Sequence, residues 1–192
     1  IDSSFLVEGR PDVFREDGVH PREAYYPMWL TYLADLLDRY PIPCFGVLHA
    51  SVEAMAQIPG DGPLAVIATQ ASIDSGAFAR ALKARCPGRE ILAIPCPAFV
   101  PLIESGHTAP DDIPLRDAIE EYLGPVRRAG AQGLLYGCTH YGIIEDALRA
   151  YLGESTALVS ASLCGAAAAA QYPVEVMTQV FNLGYGDGLF GP

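Results

Sequence analysis

The chain has 192 residues, of which 51% are hydrophobic and 18% charged, and its formal net charge is −11. This length is enough for one sizeable core or for two small lobes that share a cleft. The acidic balance argues against a nucleic-acid-binding surface, which needs clustered Lys and Arg, and against binding to anionic membranes. A small anionic substrate remains compatible, because backbone N–H groups and helix N-termini can make a site locally positive.

Cysteine usage bears on the cellular compartment and on metal binding. The five cysteines are odd in number and irregularly spaced, and none of them forms a CxxC pair: Cys44, Cys86, Cys96, Cys138 and Cys164. This pattern predicts neither a disulfide framework nor a zinc ribbon. With no secretion signal pattern and no apolar stretch long enough to span a bilayer, we expect a cytoplasmic protein with reduced thiols.

The predicted elements begin with an opening segment of 40 residues that contains one recognisable strand end, at Asp2 and Ser3, and a later helix. After it, short apolar runs alternate with helical patterns. Strands are predicted over residues 44–48, 63–69, 90–96, 132–138 and 156–161, and helices over residues 50–58, 75–86, 112–130, 143–153 and 162–171. This alternation predicts a mainly parallel sheet with helices on both faces.

Three polar clusters follow predicted strands, at residues 69–72, 95–97 and 138–140. In open parallel sheets, ligands bind outside the carboxyl ends of the strands. The coincidence of three polar clusters at such ends therefore predicts a functional site.

Cys138 is the most reactive candidate in these clusters. A free thiol has a pKa near ~8.5, and either His140 or the helix that begins after Tyr141 can lower it. Thr139 adds a hydroxyl and a backbone N–H beside them. The ordinary alternative is that Cys138 is a small buried hydrophobe and His140 a helix cap. A metal interpretation would need a further ligand, which the spacing does not supply.

The remaining candidates each have an ordinary structural alternative. Asp2 and Ser3 could form a simple turn, and Thr69 and Ser72 could cap a helix, bind an anion, or do both. Glu104 is either a solvated loop carboxylate or a partner that orients a base.

Four segments of the chain, taken in order, resemble glutamate racemase, within the aspartate/glutamate racemase superfamily. They are "GVLHASVEAMAQ", "GPLAVIATQASIDSGAFARAL", "IPCPAFVPLIESG" and "LLYGCTHYGIIEDAL". The resemblance runs from Pro41 to about Ala161. It implies a cofactor-independent racemase with two lobes across a cleft, in which one thiolate removes the α-proton and a second thiol returns a proton from the opposite face.

The resemblance implies roles for individual residues. Cys138 corresponds to the second-lobe catalytic cysteine, His140 to the imidazole that assists it, and Glu104 to the carboxylate behind this pair. Thr139 and His140 fall on substrate-binding positions.

In the same way, Asp2 and Ser3 correspond to the family's N-terminal Asp-Ser, whose Asp assists the first-lobe cysteine and contacts substrate. Thr69 and Ser72 fall on hydroxyl positions near the substrate.

The chain departs from the family before Pro41. The first-lobe Cys-Asn-Thr motif is absent, because Tyr40 runs directly into Pro41. Cys44 and Cys96 are candidate substitutes, but Cys96 falls on a family position that is not catalytic and Cys44 lies early in a predicted strand. Ser160 stands where Asp is usual, and Gly142 where Pro is usual. Three explanations are open: segments of a longer protein are missing from this sequence, the protein is an inactive deletion variant, or it is a single-cysteine member similar to arylmalonate decarboxylase. Losing strands would remove much of a small core, which favours the first.

The expected fold class is α/β, with two Rossmann-like lobes of mainly parallel sheet facing across a cleft, the first lobe being incomplete. We expect residues 1–48 plus 161–192 to form the first lobe and residues 49–160 the second.

The expected function is interconversion of L- and D-glutamate to supply D-glutamate for peptidoglycan, and so for cell-wall biogenesis and cell shape. Glutamate is the only partner expected, without cofactor, metal, nucleic acid or membrane, and a homodimer is left open. The alternatives are a single-cysteine decarboxylase or isomerase and an inactive amino-acid-binding relative.

Overall fold

The structure, a computed structural model, describes residues 46–171, which fall within one compact unit of the chain. Their centre is a four-stranded parallel sheet in the order β2-β1-β3-β4. The strands are β1 (Leu64–Ala68), β2 (Ile91–Pro95), β3 (Gly133–Tyr136) and β4 (Ala157–Ser160). The expectation of an α/β fold with a parallel sheet is thus confirmed for these residues.

Helices connect the strands and flank the sheet. They are α1 (Val47–Ala56), α2 (Gln70–Asp74), α3 (Ala77–Arg85), α4 (Phe99–Glu104), α5 (Ile113–Arg128), α6 (Glu145–Leu152) and α7 (Ala161–Ala169), and a 3₁₀ helix, Thr139–Ile144, follows β3. In the described part of the chain, none of these helices is long and apolar enough to cross a membrane.

Side-chain alternation along the strands divides the core into two clusters, one on each face of the sheet. Ile67 and Tyr136 face a larger cluster that includes residues of α4, α5, the 3₁₀ helix and α6. Val66 and Leu135 face a smaller cluster formed with α1 and α3. All five residues of β1 are buried, as expected of a central strand covered on both faces.

Local sequence signals place the ends of α5. The Asp112 side chain accepts a hydrogen bond from the backbone N–H of Leu115, as an N-cap residue does. After the helix, Gly130 adopts a φ of 62°, in the left-handed region that glycine enters without steric cost. The predicted helix over residues 112–130 therefore agrees with the structure within a residue or two at each end.

The predicted strand over residues 44–48 is wrong where the structure describes it. Gly46 is the N-cap of α1, and Val47 and Leu48 already belong to that helix. A short apolar run fits a buried helix face as well as a strand, so its hydrophobicity alone could not separate the two. Here α1 packs against α7, where a Cβ at Gly165 would come within 2.7 Å of the Val47 side chain.

Several predictions fall outside the described residues. They concern Asp2, Ser3, Cys44 and the whole opening segment, together with the residues after Gln171. The predicted lobe boundaries depend on these residues and stay a prediction.

Candidate active site

The three predicted polar clusters do follow neighbouring strands at the carboxyl edge of the sheet. Thr69 lies directly after β1, Cys96 directly after β2, and Cys138 two residues after β3. Backbone hydrogen bonds join these strand ends, since the N–H of Cys96 donates to Ala68 at 3.0 Å and the N–H of Gly137 donates to Ile67 at 2.8 Å. The site is therefore built on the central strands of the sheet.

Gly137 gives Cys138 its position. A Cβ at residue 137 would lie 2.8 Å from the ring of Phe78, on the other flank of the sheet. Glycine lets the backbone pass this ring at close range and then turn into the 3₁₀ helix, of which Cys138 is the N-cap.

Cys138, His140 and Glu104 lie in a row. The Sγ of Cys138 is 3.9 Å from Nδ1 of His140, and Nε2 of His140 is 3.4 Å from Oε1 of Glu104. The imidazole thus bridges a thiol and a carboxylate through its two nitrogens, an order in which the carboxylate can orient the imidazole beside the thiol. The structure brings these three predicted residues together although they come from two segments of the chain.

The ionisation of Cys138 differs from the sequence-based expectation. Burial raises the pKa of the Cys138 thiol, while hydrogen bonds from the backbone N–H groups of His140 and Tyr141 act in the opposite direction, and the net shift is upward. The half-buried thiol packs against the larger core cluster. The environment therefore favours a neutral thiol, with N–H donors in place to stabilise a thiolate when one forms.

Cys96 offers a contrast to Cys138 at the same edge. It is fully buried, and burial raises the pKa of its thiol well above the usual range. Its side chain approaches the backbone carbonyl of Ile94 instead of an imidazole. Cys96 is therefore a poor substitute for a second reactive thiol.

Thr69 and Ser72 lie at the start of α2, after β1. The Thr69 hydroxyl accepts a hydrogen bond from the backbone N–H of Ser72 at 3.4 Å, and the two hydroxyl oxygens are 3.0 Å apart. The capping interpretation is thus observed. Both residues stay partly exposed, and they follow β1, the strand that pairs with β3. Thr139, the first residue of the 3₁₀ helix, is exposed.

Tyrosines of this region were not among the predicted site residues. Tyr141 is fully buried, and its hydroxyl donates a hydrogen bond to the backbone carbonyl of Cys96 at 3.0 Å. Tyr136 donates to the carboxylate of Glu145, which also accepts from Arg149 at 3.2 Å. The sequence signal for both was a bulky side chain with one polar atom next to the Cys-Thr-His segment, where burial requires a hydrogen-bond partner.

No cluster for a metal ion is found in residues 46–171, where no three His, Cys, Asp or Glu side chains lie close enough together to hold one. The arrangement that the described residues do present is a thiol, an imidazole and a carboxylate at the carboxyl edge of a parallel sheet. Fold and site together define a class of α/β protein in which a cysteine and an imidazole lie side by side after a central parallel strand.

Comparison with known proteins specifies the family. Residues 29–171 match the family of Asp/Glu/hydantoin racemases. This match covers most of the chain, and the chain belongs to that family. The resemblance inferred from its motifs is confirmed.

Individual relatives agree with this assignment. The chain is 34% identical to a glutamate racemase of Desulforudis audaxviator over 64% of this chain and 44% of the relative, and 37% identical to one of a Synechococcus species over 63% and 43%. Among solved structures, a glutamate racemase isoform of Bacillus anthracis superposes with a TM-score of 0.63 at 25% identity, covering 72% of this chain and 52% of that one. A Thermus thermophilus glutamate racemase in complex with β-chloro-D-alanine gives 0.58 at 30% identity, over 71% and 48%. The chain thus spans about half the length of the relatives it matches.

Proposed function

We propose that this chain carries one half of the catalytic apparatus of a cofactor-independent glutamate racemase. The observation that carries the proposal is the alignment of Cys138, His140 and Glu104 at the strand ends. The relatives named glutamate racemase and the solved Francisella tularensis glutamate racemase in complex with D-glutamate support glutamate as the substrate.

In this mechanism Cys138 acts on one face of the α-carbon. Its thiolate takes the α-hydrogen as a proton, and the electron pair of the broken C–H bond passes to Cα and the α-carboxylate. A second thiol then protonates Cα from the opposite face, which inverts the stereocentre. In the reverse direction the Cys138 thiol is the proton donor, so the same residue serves as base for one enantiomer and as acid for the other.

The raised pKa of Cys138 fits the donor role, because a thiol that is mostly protonated at neutral pH holds the proton to be delivered. For the base role, His140 and the two backbone N–H groups would stabilise the thiolate, with Glu104 orienting the His140 ring. Closure around a substrate would strengthen these interactions by excluding water.

The hydroxyls and backbone N–H groups around this thiol would bind the substrate. Thr69, Ser72 and Thr139 are the described candidates for the substrate carboxylates, and Asp2 and Ser3 the candidates outside the described residues. The second thiol would also come from outside residues 46–171, since Cys96 is buried and Cys86 and Cys164 lie on other elements.

The cellular role that we propose is the supply of D-glutamate for peptidoglycan in the cytoplasm, with a homodimer as one quaternary arrangement. No cofactor takes part in the proposed reaction. A second candidate function is a single-cysteine decarboxylase or isomerase of the same superfamily. It is favoured by one observation: among residues 46–171, Cys138 is the one cysteine that lies beside an imidazole.

The test is proton exchange in D2O with separate samples of L- and D-glutamate, followed by NMR of the α-proton and by chiral chromatography. Exchange with inversion from both enantiomers supports the racemase. Exchange from one enantiomer without inversion supports a single-base enzyme, and an absence of exchange contradicts the proposal.

Substitution of cysteine completes this test. C138A should reduce exchange by at least about a thousandfold, because it removes the proton-transferring group itself. The matched control is C164A, which deletes a half-buried thiol on α7. Racemisation retained in C138A would refute the central assignment.

A further inference from the structure

The side chain of Tyr141 joins the two chain segments that form the candidate site. One segment, residues 138–141, carries Cys138 and His140, and the other, residues 96–104, ends with Glu104. The Tyr141 hydroxyl donates to the Cys96 carbonyl at the start of the second segment, at 3.0 Å, across 45 positions of sequence. This hydrogen bond is buried, and it is the polar part of the contact between the segments beneath the exposed site.

Aromatic packing supports the same contact. The ring of Tyr141 meets the ring of Phe99 edge to face, with centroids 5.2 Å apart and planes at 84°. Phe99 is the first residue of α4, the helix that ends at Glu104. Fixing Phe99 and Cys96 against Tyr141 therefore fixes the helix that presents the carboxylate.

The pair between His140 and Glu104 cannot hold this geometry by itself. Their side chains are 39% and 63% exposed, and their closest atoms are 3.4 Å apart. Ion pairs this exposed contribute little, because water screens them and ordering two side chains costs entropy. The buried contact beneath them has none of these disadvantages, since both of its partners are already fixed by packing.

Tyr141 also orders the thiol from its own side. Its backbone N–H donates to the Cys138 carbonyl at 3.2 Å, which forms the turn that directs N–H groups at Sγ. One residue thus anchors the turn around the thiol and the helix that carries the carboxylate.

We propose that Tyr141 is a positioning residue whose hydroxyl, bound to the Cys96 carbonyl, sets the distance between His140 and Glu104 and thereby the reactivity of Cys138. The inference rests on the proposed function for its catalytic consequence, but its effect on the thiol can be measured separately. Titratable groups around this contact include Cys138 and His140 beside it, Cys96 after β2, Glu104 on α4 and Tyr122 on α5. The adjoining helix α6 adds Glu145 and Asp146 in its first turn.

The experiment measures the rate at which iodoacetamide alkylates Cys138 as a function of pH, in the full chain, with labelled peptides quantified by mass spectrometry. The variant is Y141F, which deletes one oxygen atom. The matched control is Y122F, since the ring of Tyr122 also meets Phe99 edge to face, at 5.3 Å, from α5. Alkylation needs no turnover, so a failed racemase assay leaves this measurement intact.

We expect Y141F to slow alkylation of Cys138 at neutral pH by about three- to tenfold and to move the midpoint of its pH profile upward, as loss of one buried hydrogen bond would. Y122F should change the rate less than about twofold. In an E104Q background, Y141F should have almost no further effect, because the residue it positions no longer carries its charge.

A purely structural role predicts different results. The proposal is overturned if the pH profile of Y141F coincides with that of the wild-type chain. It is also overturned if Y141F slows alkylation of Cys138 by the same factor in the wild-type and in the E104Q background. Labelling of the buried Cys86 and Cys96 reports unfolding in the same samples. If Y141F unfolds, F99L, which removes the ring contact but keeps the hydroxyl, should give a smaller shift in the same direction, and an unchanged profile in folded F99L contradicts the proposal.

Discussion

The two edges of the parallel sheet use polar side chains differently. At the amino edge, Arg89 donates to the carbonyls of Gly62 at 2.7 Å and Ile58 at 2.9 Å and to the side chain of Gln132 at 2.7 Å, and the backbone N–H of Gly62 donates to the same Gln132 oxygen. At the carboxyl edge, Cys138, His140 and Glu104 make longer contacts and keep part of their surface exposed.

The difference follows from the hydrogen-bonding capacity that each edge leaves open. Polar groups of the amino edge form hydrogen bonds with one another and join the three loops that precede β1, β2 and β3, which contributes to stability. The side chains at the carboxyl edge make fewer and longer contacts with one another, which leaves them able to bind a ligand. This is the edge at which substrates of α/β proteins bind. Variants at the amino edge should therefore cost stability, and variants at the carboxyl edge should cost reactivity.

The largest expected effect on stability is that of R89A. It removes three hydrogen bonds and leaves part-buried acceptors without a donor, so we expect a loss of about 2–3 kcal/mol in the free energy of unfolding. R89K should recover only part of it, because an ammonium cannot reproduce the fork of the guanidinium. Urea denaturation measures the loss, with K83A on the exposed side of α3 as control. If R89A is as stable as K83A, the stabilising role of the amino edge is disproved.

The next effect concerns reactivity, in E104Q. For the proposed racemisation we expect a decrease of about tenfold in rate, because the amide lacks the negative charge that the proposed mechanism places beside His140. Stability should be unchanged, since Glu104 is 63% exposed. The control is E120Q on the exposed face of α5. If E104Q were less stable than the wild-type chain but fully active, the expectation that the carboxyl edge affects reactivity and not stability would be wrong.

Y136F is expected to have an intermediate effect on stability. It removes the hydroxyl that donates to Glu145, which connects the last residue of β3 with the first residue of α6 around the Cys-Thr-His segment. We expect a loss of about 1 kcal/mol in the free energy of unfolding. E145Q keeps an acceptor for the hydroxyl and should lose less than E145A, as thermal unfolding can measure. Equal losses in E145Q and E145A would show that this hydrogen bond does not contribute.

The smallest effect is a pH dependence away from both edges. A hydrogen bond to His107 holds the pKa of Asp112 below its usual value, so the carboxylate contributes stability above its unfolded pKa, near ~3.9, and loses it as the pH falls through the lower folded value. D112N, which keeps a capping side chain, should have a melting temperature that falls less between pH 6 and pH 3 than that of the wild-type chain. Parallel melting curves would contradict this assignment.

Much of the fold could be predicted from the sequence, because its signals are local. Apolar runs separated by helical patterns indicated β1 to β4, and Asp112 and Gly130 indicated the ends of α5. The strand predicted over residues 44–48 failed at Val47 and Leu48 because hydrophobicity was the only signal there. Its neighbours in space, α7 above all, determine that this run is a helix.

The candidate site could likewise be predicted where its residues are neighbours in the chain. Cys138, Thr139 and His140 are adjacent in sequence at a strand end, and their residue types indicate their chemistry. The direction of the pKa shift of Cys138 was not predictable, because burial by the core outweighs the neighbouring donors and burial is a property of packing.

By itself the sequence determined the alternation of strands and helices, and a thiol and an imidazole at one strand end, since each depends on residues close together in the chain. Only the tertiary structure decided that Glu104 meets His140 and that the hydroxyl of Tyr141 reaches the carbonyl of Cys96. Those contacts join β2 and β3, strands on either side of β1 in the sheet, and strand order depends on how distant apolar surfaces pack together.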